Sequence, residues 1–433
     1  MLHKLYTTSS KRSDPVRVET LLNHCYHHKS FVYSAIRWDR CGGKDTLIVE
    51  IIPRKNGLPV CSLCGTSAPI YDTLDERRFD FVPLWNIPVC FHYTMRRVSC
   101  PEHGVRVERI PWADGKSHLT KPYQLFLARW ARKLSWKEVA ESFGTSWDNV
   151  YRSVKSVVAY GMKHRTLNGI TSIGVDELQY AKGHQYLTLV YQLNAGVRRL
   201  LFVGRERKAK TLLRFFRDFG RERCAQLQFV CSDMWRPYLK VIAKKAPNAL
   251  NILDRFHIVQ HLGKAIDKIR ASEVRQLARD GYDDEVLKRT KYCFLKNEDN
   301  LTDAQRTKLT DVLQYDLKSV RAYLLKESFQ LFWNYKSPYW AEWYLNKWCA
   351  RAMRSRLEPI KAFVRTLRNH QPLIMNWFKA QKLYSSGIVE GMNRKINLVT
   401  RKSFGFRSFD VLKIALFHTM GELPEPEFTH RFC

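Results

Sequence analysis

Three acidic residues stand where carboxylates could do metal chemistry. Asp176 and Asp233 end two apolar runs that read as strands, TSIGVDEL and LQFVCSD, and Glu390 falls in SSGIVEGMNRKINLVTRK, which reads as a helix beginning near Ser386. Carboxylates this distant in sequence meet only if a sheet sets the two strand ends side by side and a later helix packs across them. Oxygen ligands suit Mg²⁺, and two such ions about 3.5 to 4 Å apart can activate an attacking oxygen while stabilising a leaving one. Beyond Glu390, Asn393, Arg394, Asn397 and Arg401 recur at i+3, i+4, i+7 and i+11, one polar side suited to a phosphate backbone. Ile388, Met392, Ile396 and Val399 can turn inward. Glu177 alternates to the opposite strand face from Asp176 and is the weaker ligand candidate. Asp254, in ILDRFH, lies near the same strand edge; with His257 it reads as a helix cap first and an accessory ligand second.

A softer constellation lies upstream. Cys61-Ser-Leu-Cys64-Gly65 and Cys100-Pro-Glu-His103-Gly104 flank a stretch of short strands, FDFVPLW and IPVCFHYTMRRVSC. Zinc takes four Cys or His ligands in a tetrahedron, and each tight C-x-x-C or C-x-x-H turn supplies two. Cys61, Cys64, Cys100 and His103 are therefore the expected structural Zn²⁺ ligands, with Cys90 and His92 as substitutes. The remaining scattered cysteines read as small buried hydrophobes. The group His24-Cys25-Tyr26-His27-His28 lacks paired spacing and reads as solvated surface.

Several elements must position these residues. LSWKEVAESFGTSWDNVYRSVKSV has helix-turn-helix spacing: Ala140 where helices approach, Gly144 at the turn, Ser146 as N-cap and Val150 packing the second helix back. Its second helix would point Trp147, Asn149, Arg152 and Lys155 outward, a mixture suited to base edges and phosphates. From Thr171 three strands separated by KGH (Lys182 to His184) and NAG (Asn194 to Gly196) form an antiparallel meander. Strand, helix, strand, helix, strand then gives a mixed sheet of ribonuclease-H-like order, with the first and fourth strands adjacent. Residues from Arg255 to Leu383 read as helical and basic, with an N-cap at Thr302. Trp333, Trp340, Trp343 and Trp348 in that stretch read as core, or else as rings for stacking on an unpaired base.

The 433 residues carry 73 Lys and Arg against 41 Asp and Glu, a net charge of +32, which calls for a polyanionic partner. With 45% hydrophobic residues the chain can still bury a sizeable core. No run approaches about 18 apolar residues and the N-terminus lacks an apolar signal segment, so the expectation is a soluble intracellular protein.

The chain resembles the ISL3-type insertion-sequence transposases over nearly its whole length, through GVDELQYAKGHQYLTLV, SDMWRPYL, PNALNILDRFHIVQHL, KNEDNLT and SSGIVEGMNRKINLVTRKSFGFRSF. It departs from the family's usual pattern at Ser385-Ser386-Gly387 and at Ala181 before Lys182. The resemblance implies a DDE triad of Asp176, Asp233 and Glu390 binding Mg²⁺ or Mn²⁺. It further implies a zinc-binding domain (1–110), a helix-turn-helix domain (111–168), and a ribonuclease-H-like core (169–254 and 385–433) interrupted by an all-helical insertion (255–384). The implied fold is thus multidomain α+β, and the implied activity is cleavage and strand transfer at terminal inverted repeats. The implied partner is double-stranded DNA, with a homo-oligomer when ends are synapsed, no membrane, and a place in the bacterial cytoplasm at the nucleoid. Two rival readings are a transposase-derived regulator that binds without cleaving, and a ribonuclease-H-like nuclease that never joins strands.

Overall fold

The structure, a computed structural model, describes residues 17–41, 43–181, 183, 185–282, 285–382, 386–403, 405–406 and 408–427. Lys182, His184, Leu383, Ser385 and the side chain of Ile388 lie outside the described part. The chain forms two compact units: residues up to Arg165 together with those from Arg401 onward, and Thr166–Thr400.

In the first unit, α1 (Val18–Cys25) precedes β1 (Phe31–Cys41), β2 (Lys44–Pro53), β3 (Ile70–Leu84), β4 (Ile87–Cys100) and β5 (Gly104–Val107). The strands lie in the order β1-β2-β4-β3, with β5 beside β4. The short strands expected between the ligand pairs are instead one long hairpin, with 15 residues in β3 and 14 in β4. Trp85 and Asn86 make this possible by both taking positive φ, 48° and 67°, in a two-residue turn whose twist matches that of the strands. The core of the sheet is aromatic: Phe31, Phe79 and Tyr93 each pack edge-on against the buried Trp112.

The helix-turn-helix region folds as its spacing requires. It comprises α2 (Lys121–Lys133), α3 (Trp136–Ser142) and α4 (Trp147–His164). Ala140 and Val150 are buried, and Gly144 turns the chain at φ 61°, a left-handed conformation that a Cβ would strain. The Ser146 hydroxyl accepts the Asn149 N–H at 3.1 Å, and Ser135 forms a capping box with Glu138.

The second unit opens with the expected meander of β6 (Ser172–Ala181), β7 (Gln185–Gln192) and β8 (Leu200–Arg205). It continues through α5 (Ala209–Phe219), α6 (Arg221–Ala225), β9 (Phe229–Ser232), α7 (Arg236–Lys245) and β10 (Leu250–Leu253). The sheet order is β10-β9-β6-β7-β8, with β9 parallel to β6 and β10 parallel to β9. Each parallel return follows a helical crossover, and those crossovers bury Leu212, Phe215, Phe216 and Tyr238 against Val190 and Val230.

The chain then runs through α8 (Arg255–Arg279), α9 (Lys291–Leu295), α10 (Asp303–Leu313), α11 (Lys318–Gln330), α12 (Pro338–Met353) and α13 (Glu358–Lys379). Thr302 caps α10 in a box with Gln305. The tryptophans divide: Trp333 and Trp348 are core, whereas Trp340 and Trp343 are 52% and 41% exposed, because α12 buries only one side. No helix among the described residues is long and apolar enough to cross a membrane.

Two helices close the chain, α14 (Ser386–Lys402) and α15 (Phe409–Met420). In the first unit α15 and the following residues pack on α4, where a Cβ on Gly161 would stand 2.5 Å from Leu423 Cβ and 2.9 Å from the Pro424 carbonyl oxygen. Gly161→Ala gains about 1 kcal/mol in helix propensity but overpacks a tight contact, which typically costs about 1 to 3 kcal/mol. A backbone carbonyl is among the clashing groups, so the clash prevails. Thermal unfolding of the variant is expected to begin a few degrees lower, and an unchanged or higher midpoint would show that this contact is loose.

Candidate active site

The carboxylate site lies in the second unit, where β6 loses its parallel neighbour. Pairing with β9 stops at Gly174↔Cys231, so Asp176 two residues later emerges beside the end of β9, and Asp233 follows that end directly. Asp176 thus does not end its strand, as the apolar run suggested. It is the fifth of ten residues, and β6 continues because the antiparallel partner β7 still pairs with it. Asp176, Asp233, Asp254 and His257 line one cavity of about 10 Å³, with Val175, Val389 and Trp377 among its apolar walls. That volume admits about one water-sized sphere.

Hydrogen bonds fix Asp176. Its Oδ1 accepts the Glu177 N–H at 2.7 Å, and its Oδ2 accepts from the Asn393 amide of α14. The Asn393 carbonyl in turn accepts the Tyr191 hydroxyl at 2.8 Å. Burial, with the Asp176 charge behind it, holds the Tyr191 phenol far above its ordinary value, so the hydroxyl remains a donor. Asn393 therefore faces the carboxylate site and not a phosphate backbone, whereas Arg394, Asn397 and Arg401 of the same helix are exposed. Met392 and Ile396 are buried and Val399 is half-buried.

Asp233 Oδ1 accepts the Trp235 N–H at 3.0 Å, and its Oδ2 lies 3.3 Å from Arg207 Nη2. Asp254 caps α8, accepting the Phe256 N–H at 2.7 Å, as its position after a strand suggested. His257 Nε2 stands 3.7 Å from Asp176 and 3.9 Å from Asp254. Burial pulls this imidazole down, and the nearby carboxylates outweigh burial and leave it above its ordinary value.

Glu390 is placed differently. Its carboxylate pairs with Arg394 at 2.7 Å and is not among the groups lining the cavity, although its neighbour Val389 is. Like charges without a cation between them repel, and a guanidinium one helical turn away offers Glu390 a partner. Arg207 was not legible as a site residue, and Glu177 read only as the weaker ligand candidate. Arg207 bridges Asp233 and Glu177, and Glu177 is nine-tenths buried, so it shares the site's charge even though its strand alternates away from Asp176. Burial first, then the charge of Asp233, raises the Glu177 carboxyl to about 7 against the opposing pull of Arg207. The acid-rich sequence GVDEL was the available signal for Glu177; none pointed to Arg207. Asp176, Asp233 and Asp254 round one small cavity offer the carboxylate oxygens that suit a hard divalent cation, although these oxygens are not drawn within 4.8 Å of one another as the thiol and imidazole groups of the first unit are.

In the first unit, Cys61, Cys64, Cys100 and His103 bring their ligand atoms within 4.8 Å of one another, the one such cluster among the described residues. Cys64 Sγ is 3.7 Å from Cys100 Sγ, and Cys100 Sγ is 3.6 Å from His103 Nδ1. Tetrahedral zinc with Zn–S of about 2.3 Å and Zn–N of about 2.0 to 2.1 Å requires edges of about 3.8 and 3.6 Å, so this donor set fits zinc. The Thr66 hydroxyl and amide pull the Cys64 thiol down to about 6, favouring the thiolate that a metal requires. Cys90 and His92 lie outside the cluster, and His92 faces Glu76 at 2.7 Å. Of the histidine-rich group, His24 and His27 are exposed, but His28 packs its ring near Trp112 and is not simply solvated.

On α4, Trp147, Arg152 and Lys155 are exposed, with Trp147 stacked on Tyr151 and Arg152 paired to Asp148 at 2.8 Å. Asn149 is half-buried, its amide donating to the Thr145 hydroxyl at 3.0 Å, so it is less outward than the helical spacing implied.

Comparison with known proteins agrees with the motifs. The ISL3-type DDE transposase family, described as Transposase, matches residues 173–416, more than half of the chain. The transposase for insertion sequence element IS1001 of Bordetella parapertussis is 25% identical over 374 residues, covering 86% of this chain and 91% of that protein. The transposase for insertion sequence element IS1557 of Mycobacterium tuberculosis is 29% identical over 411 residues, covering 89% of this chain and 91% of that protein. The chain belongs to the ISL3 family of insertion-sequence transposases.

Proposed function

We propose that this transposase binds the terminal inverted repeats of its own element, cuts the phosphodiester bonds there and joins the freed 3′ ends to target DNA. The observation that carries this reading is the meeting at one cavity of Asp176 on β6 and Asp233 just beyond the end of its parallel neighbour β9, in a chain of net charge +32. The sheet order, third-second-first-fourth-fifth along the chain, supports a ribonuclease-H-like core with α8–α13 as its helical insertion. Asp176, Asp233 and Glu390 would hold Mg²⁺ or Mn²⁺, which supplies activation of the attacking oxygen and stabilisation of the leaving one. Asn393 and Tyr191 keep the Asp176 oxygens aimed, and the Trp235 amide does the same for Asp233. No side-chain nucleophile is required: water serves in cleavage and the freed 3′-hydroxyl in joining.

In this reading the Cys61–Cys64–Cys100–His103 zinc is structural, since protein fills all four positions. The domains of this reading are 1–110, 111–168, 169–254, 255–384 and 385–433, of which the last is divided in the structure, its residues from Arg401 onward belonging to the first compact unit. Trp147, Asn149, Arg152 and Lys155 contact the repeat, Arg394, Asn397 and Arg401 contact phosphates, and synapsis of two ends calls for a homo-oligomer. Lys155→Ala is expected to weaken end binding a few-fold and to reduce the slope of log affinity against log salt by about one, the signature of one lost phosphate contact; an unchanged slope removes Lys155 from the interface. Incubation with Mg²⁺ and a labelled element end tests the whole reading. Cleavage with joined product supports it, cleavage alone favours a nuclease, and a stable unprocessed complex favours a regulator.

A further inference from the structure

Arg207, in the turn between β8 and α5, touches Asp233, Glu177 and Trp235. Its Nη2 is 3.3 Å from Asp233 Oδ2, its Nε is in ion contact with Glu177 Oε2, and its guanidinium covers the Trp235 ring at 4.6 Å from the centroid. A structural arginine usually presents its fork to one carboxylate in two parallel bonds. Here the fork is split between two acids, Nε facing Glu177 and Nη2 facing Asp233, while the buried Glu177 Oε1 lacks a hydrogen-bond partner among the described groups. The guanidinium supplies a cation to these acids, but its hold on Asp233 is one contact through Nη2. Asp176, Glu177 and Asp233 crowd one region, and carboxylates this close and this buried need a cation among them. At 36% exposure the Arg207 side chain also has open space into which to move.

We infer that Arg207 is a stand-in cation: it occupies the electrostatic place at Asp233 that a divalent ion takes, and ion binding opens the Arg207–Asp233 contact while Glu177 and Trp235 keep the guanidinium close by. This rests on the reading of Asp233 as a metal ligand. Arg207 is then a positioning residue that competes with the ion, the reverse of one that prepares Asp233 for it.

The test is a titration of the full-length protein with Mn²⁺, free Mn²⁺ being read by electron paramagnetic resonance in the absence of DNA. Removing a competing charge tightens binding, so Arg207→Gln is expected to bind Mn²⁺ about five- to tenfold more tightly than wild type. Arg207→Lys, which keeps the charge, is expected to stay within about twofold. Unchanged or weaker binding by Arg207→Gln overturns the inference. Should that variant fail to fold, Arg207→Met, whose flexible stem can still pack on Trp235, carries the same expectation. Asp233→Asn separates the two claims: if it leaves the tightest Mn²⁺ site intact, or if no protein binds Mn²⁺ up to about 10 mM, the metal reading itself fails and the role of Arg207 falls with it.

Discussion

Asp233→Asn is expected to lower Mg²⁺-dependent cleavage of a labelled element end by at least about 10³-fold while leaving binding to that end within about threefold. The two effects separate because they draw on different groups. A carboxylate that holds a metal loses charge and an oxygen donor on becoming an amide, and even residues that only support ligands typically account for about 10- to 100-fold. Binding draws on basic residues, and removing a negative charge near DNA phosphates takes no attractive contact away. The substitution is also structurally mild. An asparagine keeps the Oδ1 that accepts the Trp235 N–H, and Arg207, which loses its contact with Asp233, keeps Glu177 as a partner. Asp176→Asn is the less clean probe. Both Asp176 oxygens accept hydrogen bonds, from the Glu177 N–H and from the Asn393 amide, and Tyr191 fixes the orientation of that amide. Either orientation of an asparagine at 176 sets donor against donor, at about 1 to 3 kcal/mol. Loss of cleavage there mixes metal loss with local disorder, whereas Asp233→Asn isolates the metal. Undiminished cleavage by Asp233→Asn removes that residue from the proposed triad.

The parts of the site that lie on regular elements were legible in the sequence. Apolar runs of strand length, separated by crossover helices, were enough to set the strand carrying Asp176 beside the one ending at Asp233. A strand followed by ILDRFH was enough to make Asp254 a cap. Periodicity also put Asn393 on the same side of α14 as Glu390, but it cannot say what that side meets. The structure turns Asn393 to Asp176 and leaves Glu390 with Arg394. Arg207 lies further from reach. It follows Glu206, a non-glycine residue at φ 74°, and its partners come from β6 and from the turn after β9, a meeting that no local pattern encodes. The same limit explains β1 and β2, whose pairing with each other and with β4 is a tertiary fact, and the length of the β3–β4 hairpin, which depends on two positive-φ residues without a glycine between them.

Cys61→Ser is expected to remove one equivalent of zinc and to lower end-specific DNA binding by about tenfold or more, without unfolding the sheet of the first unit. Locally, little besides the metal holds the knuckle. The buried apolar cluster around it consists of Cys61, Ala68, Val98 and Cys100, two of which are themselves ligands. The backbone contributes a handful of bonds, among them the Cys61 N–H to Thr66, the Gly65 N–H to Cys61, the Ala68 N–H to Pro59, the Ser99 N–H to Pro69 and the Arg109 N–H to Val60. At about 1 kcal/mol each these bonds do not replace structural zinc, whose apparent contribution is about 10 to 16 kcal/mol at neutral pH. The aromatic core of the sheet is separate, built on Trp112 with Phe31, Phe79 and Tyr93, and Arg96 and Tyr93 both bond the buried Glu108 carboxylate. Hydrogen exchange should therefore rise sharply over residues 59–69 and 100–104 in the variant or in chelator, while the Glu108 amide and those beneath Trp112 stay protected. Uniform loss of protection would make zinc a condition for folding the whole sheet. One equivalent of zinc surviving in Cys61→Ser would move the ligand assignment elsewhere, because a serine hydroxyl does not replace a thiolate in a closed tetrahedral site.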